Sequence, residues 1–481
     1  MTNGHGDGRR RQRSVRRHGG ARPAPVRPVA GARPVDRPRL AAFQVLRAVH
    51  GGDAYANLAL PALLSERGLT GRDAAFATEL CYGTLRTTGT LDAILGAIAD
   101  RPLSKLESAV HDALRLGVYQ LLYTRVPAHA AVSTSVALVR GASGAAAARF
   151  VNAILRRVAA RDLNDWLATV TPADPVAALA IRYSHPEWIV QAFAAALGDS
   201  AELEDLLAAD NGRPAVHLAA RPGRIEAAEL ARRVGGEVGR WAPTAVYLPG
   251  GAPGDLAEVR DGLAGVQDEG SQLVALAVAN APLSGPDETW LDLCAGPGGK
   301  AALLGAVAAQ RGATLTAVEV AEHRAGLVAK ATAGLPVRVV NADGRTVGDR
   351  PDLPACGFDR VLVDAPCTGL GALRRRPEAR WRRTEADLAE LTTLQRELLI
   401  AACRAARQGG IIGYVTCSPH LAETAEAVAA LLAGDAVSVE SVDARDLLPS
   451  DLPGLGDGPS IQLWPHRHGS DAMYLALLRR L

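Results

Sequence analysis

Cysteine is scarce in this chain and never paired in sequence. Six cysteines are scattered over 481 residues with no CxxC spacing and no Cys/His cluster at ligand distance, which excludes a disulfide framework and a zinc site; no metal is expected. Reduced thiols remain free for chemistry. Long apolar runs are missing too. The longest uncharged stretch, Gly270 to Pro286, is broken by Ser271, Gln272, Asn280, Pro282 and Ser284, so no membrane helix and no membrane partner are expected. No apolar segment follows the basic start, so a secretory leader is not expected and the reading is cytoplasmic. Lysine occurs only at 105, 300 and 330; nearly every cation is an arginine.

What is present is enough for two or three domains, since 481 residues exceed one ordinary core and 48% are hydrophobic. The net charge of +2 conceals an asymmetry: residues 1–38 hold ten arginines and two aspartates, which leaves 43 basic and 49 acidic residues in the rest. That Arg/Gly/Pro-rich tail, residues 1–37, has too few apolar residues to order itself. An arm that seeks polyanions and a plain solvated extension are both compatible with it.

Residues 38–162 carry apolar positions at three- and four-residue spacing through LAAFQVLRAV, AAFATELCYGTLR, SAVHDALRLGVYQLLY and RFVNAILRRV, which predicts an all-α bundle. Arg86, Arg115, Arg149, Arg156 and Arg157 read there as a solvated face. Residues 163–265 combine helices with short β-like runs such as AVHLAAR and AVYLPG, which predicts a small α+β linker module. Residues 266–481 alternate strands and helices and predict a doubly wound, mainly parallel α/β sheet of Rossmann-like type.

Asp292-Leu-Cys-Ala-Gly-Pro-Gly-Gly-Lys300 closes a strand and opens a helix, with glycines where a ligand must approach the backbone. Cys294 and Ala301 stand where a P-loop needs Gly and Ser or Thr, and the spaced GxGxxG of an NAD site is not matched. Glu319, 23 positions after Gly296, can accept both ribose hydroxyls of an adenosine, and Asp343 can reach the adenine or the ligand's amino end. Single strand-end acids are commonly helix caps. Acids ending successive strands, all on the ligand edge of the sheet, point instead to a cofactor.

The fourth strand of this domain ends in Asp364-Ala-Pro-Cys-Thr-Gly369 and the fifth in Thr416-Cys-Ser-Pro419, which puts Cys367 and Cys417 at the same edge. Cys81, Cys294, Cys356 and Cys403 read as small buried hydrophobes. Cytosine C5 is a poor nucleophile until a thiolate adds at C6, and such chemistry needs a thiolate, a proton manager and a methyl donor. Asp364 can hydrogen-bond N3 and the exocyclic amine of a flipped-out base. Which cysteine attacks stays open on these grounds. Downstream, Leu373 to Arg383 holds six arginines and one acid around Trp381, and Arg374, Arg375, Arg376, Arg380 and Trp381 read as RNA contacts by phosphate pairing and stacking.

At these motifs the chain resembles the bacterial 16S ribosomal RNA cytosine-5 methyltransferases of the RsmB/Sun type. The resemblance implies S-adenosylmethionine as cofactor, held by Cys294, Ala295, Gly296, Pro297, Gly298, Gly299, Lys300, Glu319, Asp343 and Asp364. It also assigns Cys417 as the nucleophile and Cys367 to release. Val266 to Gln272 is similar to the family's segment entering this domain. Tyr82-Gly-Thr-Leu-Arg86, Tyr119 to Tyr123, Pro127 to Ala131 and Phe150 to Arg156 resemble a NusB-like RNA-binding domain, and Tyr183 to Trp188 continues the likeness. Thr368 departs from the usual Ser, and only Glu423 remains of a commonly paired acidic element, a departure expected to touch peripheral packing. His185 and His420 read as structural. The expected partner is 16S ribosomal RNA and the expected state a monomer. Two alternatives stand beside this: the same chemistry on transfer RNA, and a non-catalytic NusB-like RNA-binding protein.

Overall fold

The computed structural model describes residues 36–481 apart from 53 and 199; the expected tail, up to residue 35, lies outside the described residues. The first helix, Arg37–Gly51, starts where local chemistry allows it. The Asp36 carboxylate accepts from the Arg39 N–H at 2.9 Å, and Pro38 occupies the first turn. Ala56–Glu66, Gly71–Arg86, Thr88–Ile98, Ser108–Tyr123 and Ala128–Val158 complete the bundle, the last bent at Gly144. The apolar stripes read from the sequence meet in one core, with Leu46, Leu80, Leu91, Ile94, Leu114 and Leu155 fully buried.

The linker region has two parts. Helices Leu163–Val170, Pro175–Tyr183, Glu187–Leu197 and Leu203–Asn211 come first. An antiparallel four-stranded sheet follows, made of Val216–Ala220, Glu237–Val238, Ala245–Leu248 and Ala264–Val266. No helix among the described residues is long and apolar enough to cross a membrane.

The third region is built on a larger sheet. From one edge the order is Val439–Val442, Tyr474–Arg480, Ala406–Thr416, Phe358–Asp364, Thr289–Asp292, Thr314–Val318 and Val337–Val340. Tyr474–Arg480 runs antiparallel to Ala406–Thr416, whereas the five strands from Ala406–Thr416 to Val337–Val340 are parallel. Helices cover both faces, so the central strands are buried on both sides: Phe358 to Val363 are all buried, with Asp359 and Arg360 held in ion pairs with Arg407 and Asp287. After Thr289–Asp292 the chain winds outward through Thr314–Val318 and Val337–Val340, then returns to the other side. The strand order therefore reverses between Thr289–Asp292 and Phe358–Asp364, and a crevice opens beyond their carboxyl ends.

Candidate active site

Four strand ends meet at that crevice. Asp292 closes the first strand, and Gly296 to Gly299 turn the chain into the helix Gly299–Arg311. A Cβ on Gly296 would sit 2.3 Å from the Glu319 carboxylate, and Gly298 has φ 109°, so both positions need glycine. Glu319 ends the next strand almost fully buried. One of its oxygens accepts from the Gly296 N–H at 3.0 Å and the other from the Ala321 N–H at 2.9 Å, which braces the loop against the neighbouring strand. Asp343 also stands at this edge, but its carboxylate is gripped by Arg345, whose guanidinium reaches on to Glu397. Asp343 and Arg345 line an open cavity of about 620 Å³ with Cys356, Glu397 and Arg404.

The other two strand ends bring the thiols together. Cys367 Sγ lies 3.4 Å from Cys417 Sγ. Beside them Lys300 Nζ donates to Asp364 at 2.9 Å. Burial alone would lower the lysine's pKa, but the Asp364 charge holds it above the usual value. The thiol contact and burial push Cys367 well up, whereas the same contact holds Cys417 down against burial and the Asp364 charge, which Lys300 partly offsets.

Two residues escaped the sequence reading. Asp292 is fully buried, and among the described residues the Cys294 backbone N–H comes near its carboxylate without a well-formed hydrogen bond; burial, with Asp364 nearby, pushes it up to about 8. Its only sequence signal was its place at the head of the glycine-rich turn. Glu423, read in the sequence only as the survivor of a paired acidic element, is fully buried and holds the loop that carries Cys367. Cys356 corrects another expectation. It is exposed, in a left-handed turn with φ 54°, its N–H bound to the Arg404 carbonyl. Cys81 and Cys403 are buried as expected, and Cys294 is half-buried.

The arginine-rich segment needs the largest correction. Arg380 is fully buried and donates to the carbonyls of Arg86, Ser184 and Asp210 and to the Asn211 side chain, at 2.7 to 3.2 Å. Arg86 ends one helix, Ser184 caps a second and Asp210 lies in the last turn of a third. Helix C-termini leave carbonyls unpaired and carry partial negative charge, which a planar five-donor cation satisfies. Arg374 is likewise buried, and it joins Arg375 on Asp268 and Asp471. Arg380 and, through the Ala215 carbonyl, Arg375 tie this segment to the regions before it, whereas Arg374 pairs within its own region; the two buried arginines are closed off from phosphate. Arg376 and Trp381 remain exposed.

A family model described as 16S rRNA methyltransferase RsmB/F matches residues 281–479, and one described as NusB family matches residues 36–160. Ribosomal RNA small subunit methyltransferase B of Escherichia coli is 32% identical over 87% of this chain and 95% of its own length. The chain belongs to the RsmB/F methyltransferase family. It is an S-adenosylmethionine-dependent RNA methyltransferase with a NusB-family helical domain. A Mycobacterium tuberculosis relative, Rv1407, named for methyl transfer without a substrate, is 58% identical over 93% of this chain and 98% of its own length. The crystal structure of PH0851 has the same fold, with a TM-score of 0.77 at 24% identity, covering 92% of this chain and 99% of that one.

Proposed function

We propose that the protein methylates C5 of a cytosine in 16S ribosomal RNA, with Cys417 as nucleophile and Cys367 acting at release. The observation that carries this reading is the pair of thiols 3.4 Å apart beside the Lys300–Asp364 ion pair. The ribosomal substrate is supported by the names of the family model and of relatives such as the Escherichia coli enzyme.

The residues around the crevice suit the cofactor. The unpartnered Asp292 carboxylate offers an acceptor for an ammonium, the Gly296 to Gly299 turn lets a ligand lie against the backbone, and Glu319 stands beside it with oxygen lone pairs for ribose hydroxyls. When bound, S-adenosylmethionine supplies an electrophilic methyl group. Asp343 is assigned to the adenosine end on the strength of its place at the strand edge.

Cys417, held toward the thiolate, adds to C6 of a flipped-out cytosine, and the electron pair displaced from the C5–C6 double bond makes C5 nucleophilic. Lys300 and Asp364 present a donor and an acceptor side by side to N3 and the exocyclic amine, where charge accumulates. After transfer Cys367, its own thiol proton first given up to solvent, takes the C5 proton; the C5–H electron pair re-forms the double bond and the Cys417–C6 bond breaks, returning Cys417 as the thiolate. Arg376 and Trp381 are the members of the arginine-rich segment placed to meet RNA.

Bisulfite sequencing of 16S ribosomal RNA from a deletion strain tests the assignment. One cytosine should lose its protection and regain it on complementation. An unchanged ribosomal pattern with a lost transfer RNA mark would move the same chemistry to the other substrate.

A further inference from the structure

The loop that carries Cys367 leaves its strand at Asp364 and brings its sulfur against that of Cys417. It is tied at both ends by a buried polar group. Gln395, on the long helix Glu385–Ala405, donates its side-chain N–H to the Pro366 carbonyl at 2.8 Å and to Glu423 at 3.0 Å. Glu423 accepts from the Thr368 N–H at 2.8 Å and also from the Thr368 hydroxyl. That hydroxyl lies 3.1 Å from the Ser418 hydroxyl, on the residue after Cys417. The Tyr414 hydroxyl, from the strand that ends at Cys417, donates to the Glu423 carbonyl at 2.9 Å. One fully buried carboxylate thus holds the residue after Cys367, whose hydroxyl meets that of the residue after Cys417, while the Glu423 backbone is bound by the Cys417 strand.

We infer that Glu423 is a positioning residue for the release step: it latches Thr368 to the Cys417 strand and so sets where the Cys367 sulfur stands. A carboxylate is costly to bury, and here each oxygen has a partner on the Cys367 loop. Glu423 touches neither sulfur among the described contacts, so it acts through Thr368. The inference rests on the proposed role of Cys367, but the position of that sulfur can be measured without it.

The test compares full-length Glu423→Ala and Glu423→Gln with Cys367→Ala and the wild type. Gln keeps an acceptor for the Thr368 N–H and a polar partner for its hydroxyl. Glu423→Ala should retain cofactor affinity and form the RNA adduct, but release it at least ten-fold more slowly, seen as a retained covalent band on a denaturing gel; Glu423→Gln should restore most of the release. The second readout is diamide-driven disulfide formation between Cys367 and Cys417 in the RNA-free enzyme, followed by peptide mass spectrometry. It should slow at least ten-fold in the Ala variant and stay near wild type in the Gln variant. Should Glu423→Ala fold poorly, Thr368→Val removes the hydroxyl link alone and should shift both readouts in the same direction by a smaller factor. Wild-type crosslinking in Glu423→Ala, or a Gln variant as impaired as Ala, overturns the latch. Failure of Cys367→Ala to trap an adduct, with crosslinking still slowed in Glu423→Ala, overturns the release chemistry and leaves the latch standing.

Discussion

The Cys367 and Cys417 sulfurs lie 3.4 Å apart on loops that close adjacent parallel strands. Their surroundings differ: the contact between them lowers the Cys417 thiol's pKa and, with burial, raises that of Cys367. Replacing each by alanine should give opposite phenotypes. Cys417→Ala should abolish methyl transfer and form no covalent RNA complex. Cys367→Ala should permit transfer but trap the RNA, visible as a slow band on a denaturing gel. The reverse pattern would exchange the two roles.

Glu319 braces the Gly296 turn and stands ready for the cofactor's ribose. Glu319→Ala should weaken S-adenosylmethionine by one or two hydrogen bonds' worth, about 1 to 3 kcal/mol, in titration calorimetry. Unchanged affinity would remove it from the cofactor site.

Asp292 ties stability to pH in the ligand-free enzyme. Its pKa of about 8 lies well above the ordinary value near 4, so the protonated form favours folding. That contribution is complete below about pH 4 and is lost as pH rises through about 8. The ligand-free wild type should therefore lose melting temperature between pH 6 and 9 relative to Asp292→Asn, while the variant binds cofactor more weakly. Parallel melting curves for the two proteins would refute the linkage.

Arg380→Met removes the cation from three helix ends and strands their carbonyls. A loss of about 3 kcal/mol or more is expected in denaturant unfolding. Arg376→Ala, at an exposed position, should leave stability nearly unchanged and reduce RNA affinity. Equal stability losses in both would contradict the division drawn between them.

Much of this was legible in sequence because the signals are local. The helical stripes, the βα alternation and the Asp364–Cys367 and Thr416–Ser418 loops each lie in consecutive residues, and a strand end fixes where its next residues go. The place of Arg380 was not legible. Its partners come from helix ends near residues 86, 184 and 210, and nothing within the run Leu373 to Arg383 says that its fourth arginine turns inward while its third stays in solvent. Asp292 was passed over for a related reason: the burial that isolates its carboxylate, and the Asp364 and Glu319 charges near it, come from strand ends distant in sequence. The role of Glu423 was not legible because its link to Thr368 spans 55 positions.

The arginine that closes three helix ends also constrains how such a chain can be recombined. A helical domain exchanged between relatives must bring a helix terminus that stops where Arg86 stops, facing a cation encoded nearly three hundred residues later. A graft that shifted that terminus by one turn, about 5.4 Å, would take one carbonyl partner from a fully buried cation. Chimeras cut in the linker should thus succeed only when the donor also supplies the Arg380 segment, so that the protein is transplanted as a unit although its sequence reads as separable modules.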